Sequence, residues 1–257
     1  MRSTIHNDGL ALLQHGEQAQ PTLITQAQVP GLPDPVQRYL SYTQVVGKEP
    51  IRTVRLKQQG FMRTQPGQKW LPMIAEQYFT TAPLAFLWHG TMRPFPLVSM
   101  SGTDRFIDGH GSMLIKLLSL ITVGNARGPE MDQGELLRYL AETTWFPTAW
   151  LSDAIEWQAI DAHSVKATIH QQDVMASAVL HVNEQGQVTS LSAERYMGEH
   201  GQLTPWSGQY DEYQEVDGMC IPTRVEVTWH LAFGDFTWFR CKITEIEYNQ
   251  SGRVTML

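Results

Sequence analysis

In the stretch Arg224–Leu231, the side chains of Val225, Val227, Trp229 and Leu231 alternate with those of Arg224, Glu226, Thr228 and His230. Successive side chains of a strand point to opposite faces, so this segment presents one apolar and one polar face. From about residue 156 to 248 the chain repeats this pattern in short runs broken by Gly, Asn and Pro. The first half adds further candidate strands at 53–63, 70–80, 84–92 and 97–107, with Asp108-Gly109 as a hairpin turn. About 11–12 strands are expected in all, too many for a flat sheet, so the sheet must curl. The fold class is therefore mainly β: one strongly curved antiparallel sheet, a half-open barrel, with a few short helices covering its concave side.

Two helices stand out against this background. In Leu32-Pro-Asp-Pro-Val-Gln-Arg-Tyr-Leu40, Asp34 is placed to cap a helix that has Pro35 at its first position. A helical insert spans about 132–151, where Asp132 can cap and Leu136, Leu137, Leu140 and Ala141 form one face. Glu135, Arg138, Tyr139 and Glu142 form the other face, with Arg138 and Glu142 one helical turn apart. The apolar run Met113–Val123 fits a strand and a helix equally well by periodicity. Residues 1–30 read as a helix or a docked arm, and 31–257 as a single β domain.

With 19 Lys and Arg against 26 Asp and Glu, and no clustered cations, the chain is not built to neutralise a phosphate backbone, so nucleic acid is not an expected partner. The run Met113–Val123 is about half the length of a membrane-crossing helix and contains Lys116, so no transmembrane segment is expected. The polar start of the chain lacks signal-peptide features, so the expectation is a cytoplasmic protein unless an export signal lies outside this sequence. Cys220 and Cys241, on neighbouring strands, could form a disulfide, and reduced thiols are the expectation in the cytoplasm. No zinc, nucleotide or nucleophile motif occurs, so neither metal nor cofactor is expected. Nothing in the pattern fixes the oligomeric state.

The segments Leu32-Pro-Asp-Pro-Val-Gln-Arg-Tyr-Leu40, Gly102-Thr-Asp-Arg-Phe-Ile-Asp-Gly-His-Gly111, Gly134-Glu-Leu-Leu-Arg-Tyr-Leu-Ala-Glu142, Trp145-Phe-Pro147 and the Trp229 strand together resemble an uncharacterised bacterial family of unknown function. At the level of topology, Gln58-Gln-Gly60, Ala82-Pro-Leu-Ala-Phe-Leu-Trp88 and the Asp108-Gly109 hairpin also resemble the lipoprotein-carrier fold of the LolA and LolB type. That resemblance implies a curved sheet cupped around a hydrophobic cavity and lidded by helices. Carriers of that class are exported, and the start of this chain departs from that pattern.

Eight Trp, eight Tyr and nine Phe fill a core or line an apolar pocket. The expected function is binding of a hydrophobic or amphipathic, lipid-like small molecule in an aromatic-lined cup. Its lining would come from Trp88, Tyr139, Glu142, Trp145 and Trp229, and Arg138 and Arg195 would hold the polar end, because a planar guanidinium suits a carboxylate or phosphate. The alternative is a cofactor-independent hydrolase, lyase or isomerase in the same cup, with Asp108, His110 or Glu142 as the acid–base group.

Overall fold

The computed structural model describes residues 2–16, 22–95, 98–197 and 201–249. Leu97, read as the start of a strand, lies outside them. Strands β1 (Thr53–Met62), β2 (Leu71–Thr81), β3 (Leu84–Phe95), β4 (Val98–Ile107), β5 (His110–Leu117) and β6 (Ile121–Arg127) form the first meander. The second consists of β7 (Ile155–Ala159), β8 (Ser164–Gln171), β9 (Val174–Val182), β10 (Val188–Tyr196), β11 (Leu203–Val216), β12 (Met219–Leu231) and β13 (Gly234–Tyr248). All belong to one 13-stranded antiparallel sheet in which β1 pairs with β13, so the two meanders meet at a central seam. Within each meander every strand hydrogen-bonds to its sequence neighbour.

The alternation read from the sequence sets which side chains point inward. Along β12, Val225, Val227 and Trp229 are buried while Arg224 and His230 are exposed. The ambiguous run 113–123 is a hairpin: it forms the end of β5, a turn at Leu118 and Ser119 with positive φ, and the start of β6. Asp108 and Gly109 also take positive φ, as their hairpin turn requires.

Helix α1 (Arg2–His15) lies on the outer face, where Leu13 packs with Tyr78 and Leu87. Helix α2 (Asp34–Tyr42) begins with Pro33 at its N-cap, not Asp34, and buries Val36, Tyr39 and Leu40. Helix α3 (Pro129–Glu142) crosses the inside of the sheet against β4, β5, β6, β8, β9 and β10. Its N-cap is Gly128, so the expected cap at Asp132 is corrected: Asp132 sits within the helix and accepts the Gly111 amide N–H at 2.6 Å. Gly111 is required there, since a Cβ would lie 2.3 Å from the Met131 carbonyl oxygen. Small inward residues on β8 and β9 (Ala167, Ala176 and Ala178) leave room for the helix. After α3, short 3₁₀ turns at Thr143–Trp145 and Pro147–Leu151 bury Trp145, Phe146 and Trp150.

Candidate functional site

Polar side chains at inward positions break the otherwise apolar interior. Gln58 follows Val54 and Leu56 in phase on β1, and Gln77 sits between Ala75 and Phe79 on β2; both glutamines are buried. Asp104 on β4 lies opposite Trp88 on β3, and Arg195 on β10 continues the inward phase of Leu191 and Ala193. α3 brings Glu135, Arg138 and Glu142 over them.

These groups form a chain of hydrogen bonds and ion pairs. The Trp88 indole N–H donates to Gln58 Oε1 at 2.9 Å, Gln58 Nε2 to Gln77 Oε1 at 3.4 Å, and Gln77 Nε2 to Glu142 Oε2 at 2.7 Å. Arg138 donates from Nε to Glu142 Oε1 at 3.0 Å and from Nη1 to Asp104 Oδ2 at 2.6 Å, and lies 3.8 Å from Glu135 Oε2. Arg195 Nη2 donates to Glu135 Oε1 at 3.2 Å. The aromatic faces complete the surroundings. The Arg138 guanidinium is 5.1 Å from the Phe86 and Trp88 ring centroids, and that of Arg195 is 5.4 Å from Trp206.

Three carboxylates thus face two guanidiniums, leaving one excess negative charge when all are ionised. Burial is the largest influence on Glu135, Glu142, Arg138 and Arg195. Burial, and then the Asp104 charge, push the Glu135 carboxyl up to about 7, against the pull of Arg195 and Arg138. Burial also raises Glu142, with Arg138 and Gln77 opposing it. For Arg138, burial is more than offset by Glu142, Asp104 and Glu135, so its proton is held tightly. Arg195 differs: burial holds it below the usual arginine range, Glu135 offsets this only in part, and Arg138 adds to it. Arg138 is amply paired, whereas Arg195 and Glu135 are short of partners. Glu135 Oε2 and the Trp206 indole nitrogen are both buried without a hydrogen bond.

A family profile matches residues 22–241, most of the sequence. The chain belongs to the family of unknown function DUF6544. No curated protein matches it. Solved structures similar to this DUF6544 chain include a LolA superfamily protein from Nitrosomonas europaea, at TM-score 0.40 and 10% identity over 83% of this chain and 91% of that one. Another is a domain from Vibrio parahaemolyticus provisionally named an outer membrane lipoprotein-sorting protein, at TM-score 0.44 and 8% identity over 98% and 94% of the two chains.

Of the residues singled out in the DUF6544 sequence, the structure brings Trp88, Arg138, Glu142 and Arg195 together in this cluster. Tyr139 and Trp145 are in the core beneath it: Tyr139 donates to the Thr80 carbonyl, and the Trp145 carbonyl accepts from Tyr248. Trp229 is also inward, paired across the strands with Trp206. Asp108 and His110 stand apart. Asp108 is in the β4–β5 turn, and the His110 side chain is 80% exposed, 3.6 Å from Asp132. Sequence reasoning missed Gln58, Gln77, Glu135 and Trp206 as site residues. The signal for the two glutamines was a polar residue in phase with buried apolar neighbours.

A separate groove of about 530 Å³ lies on the outer face beside α1, lined by Ile5, His6, Lys57, Gln59, Ile74 and Glu76 among others. Gln58 of the cluster also borders it, from the other side of β1. No group of three or more potential metal-ligating side chains occurs among the described residues. Nor is any described helix long and apolar enough to cross a membrane. Cys220 and Cys241 are unbridged, and burial pushes the Cys241 thiol up.

Proposed function

We propose that the inner face of the sheet binds a hydrophobic or amphipathic small molecule, with its polar end at the cluster on α3. The observation that carries this reading is the unmatched Arg195–Glu135 pair set in an apolar surface. A buried ion pair short of partners costs stability and is a poor way to build a core. It is accounted for if a ligand completes it. Met62, Met73, Met92 and Met100, which pack into the core from β1–β4, support the same reading, because unbranched thioethers re-pack around varied apolar shapes. At about 0.8 kcal/mol per buried methylene, an acyl chain supplies the affinity and the cluster sets the orientation.

Native mass spectrometry of protein purified gently from its own host, followed by organic extraction, tests this directly. A one-to-one adduct that releases an apolar molecule is expected. A clean unliganded mass, together with no uptake of an apolar fluorophore, would rule the reading out. The enzymatic alternative rests on Glu135, whose carboxyl near 7 is poised to exchange a proton at neutral pH. It predicts an E135Q variant that retains ligand and loses turnover.

A further inference from the structure

The hydrogen-bonding atoms left open around Arg195 define the chemistry of the group that fits there. Arg195 touches Glu135 through one nitrogen, at 3.2 Å, and stacks at 5.4 Å on Trp206. Glu135 Oε2, on a side chain only 4% exposed, has no hydrogen bond among the described residues, its near cation being Arg138 Nη1 at 3.8 Å. The indole N–H of Trp206, whose ring lies under the Arg195 guanidinium, is likewise a buried donor without an acceptor among them. The group required offers an oxygen to Trp206 and Arg195 and a proton to Glu135. An alcohol or amide has both functions but no charge to balance a guanidinium whose one carboxylate partner among the described residues is itself buried and only part-ionised at neutral pH. A carboxylate arriving with one proton meets every demand: its oxygens accept from Arg195 and Trp206, and the proton is shared with Glu135 Oε2.

We infer that Arg195, Glu135 and Trp206 form a head-group subsite for an apolar molecule ending in a carboxylic acid, taken up together with one proton. This rests on the inner-face reading above and narrows it. The groups around Glu135 keep the proton count at one. Arg138 and Glu142 from its own helix are locked to each other and, through Arg138, to Asp104 of β4. Arg195 comes from β10. At the start of the helix, Asp132 is engaged by the Gly111 amide, with His110 of β5 out in solvent. The inward faces of β8 and β9 that pack on α3 present Val165, Ala167, Ile169, Ala176, Ala178 and Leu180, and β6 presents Ala126. Glu135 is therefore the group through which pH acts on this subsite, and its carboxyl near 7 puts the effect in the neutral range.

The test is isothermal titration of the full chain with dodecanoic acid, its methyl ester and dodecanol between pH 6 and 9, in two buffers of different ionisation heat. The acid is expected to bind best, with uptake of close to one proton per molecule at pH 8 and an affinity that falls about tenfold per pH unit above 7. E135Q, which fixes the neutral state, should bind the acid with no pH slope and no proton uptake. The charge-balanced double variant E135Q/R195M should lose at least tenfold in affinity for the acid while holding the ester unchanged. Equal binding of acid and ester, or a wild type with a flat pH profile, overturns the subsite and leaves the apolar reading standing. Failure of all three probes to bind overturns both.

Discussion

Glu135 makes the interior of this protein pH-sensitive even without a ligand. The unfolded chain releases this proton near 4.5, whereas the folded chain holds it to about 7. Between those values the folded state binds more protons, so stability falls as pH rises through the interval and stays reduced above it. At about 1.4 kcal/mol per unit the loss reaches no more than about 3.5 kcal/mol. Urea denaturation at pH 5 and pH 8 should show this decline in the wild type and a flatter profile in E135Q; a wild type no steeper than E135Q would refute it. Arg138 plays the opposite part, holding three carboxylates at once. R138A leaves them uncovered and should cost about 3–5 kcal/mol. Arg224, half-exposed on the outer face beside Glu226 and Glu212, is the control: R224A should stay within about 0.5 kcal/mol. Arg138 was legible in the sequence because an i,i+4 partner marks it. Glu135 was not, because its partner Arg195 lies 60 residues away and no spacing rule reaches that far.

At the scale of elements, strands were read well where one face is buried and one is wet. β1 ends within a residue of its expected bounds and β12 follows the alternation read over 224–231, because burial of one face fixes their phase. Helix starts were read less well. Asp132 looked like a cap because it precedes an apolar stripe, but Pro129 starts α3 a turn earlier, and the carboxylate serves β5 instead. The two faces read on α3, one apolar and one carrying Glu135, Arg138, Tyr139 and Glu142, differ little in burial, for a physical reason. A helix inside a curved sheet has strands on both sides, so Tyr139 and Glu135 are as buried as Leu136. The same enclosure turned a surface-type charge pattern into the candidate site. The family resemblance was legible across most of the chain, and the match over residues 22–241 bears it out.

For the whole molecule, what matters most is the pairing of β1 with β13, among the described strands the one contact made between elements far apart in sequence. Every other pairing joins chain neighbours and closes a short loop. Among the described strand pairings this seam alone joins the meander carrying Trp88 and Asp104 to the one carrying Arg195 and Trp206, with α3 packed across both from inside, so the cluster on α3 depends on its register. Gly60 lies at the closest approach of the seam: a Cβ there would sit 2.1 Å from the Arg240 carbonyl oxygen and 2.7 Å from the Cys241 Cα. Both are backbone atoms, so no rotamer change relieves the clash and the strands themselves must part. G60A should therefore destabilise the protein by about 2 kcal/mol or more, beyond what an alanine adds in an unobstructed strand. Its mark should be spatial. Hydrogen exchange should quicken along β1 and β13 together and at the indole N–H of Trp88, which is held by Gln58 of β1, while β8 and β9 stay protected. A uniform loss of protection across all strands would mean that the seam is not a separable joint and that the two meanders hold their shape only as one unit.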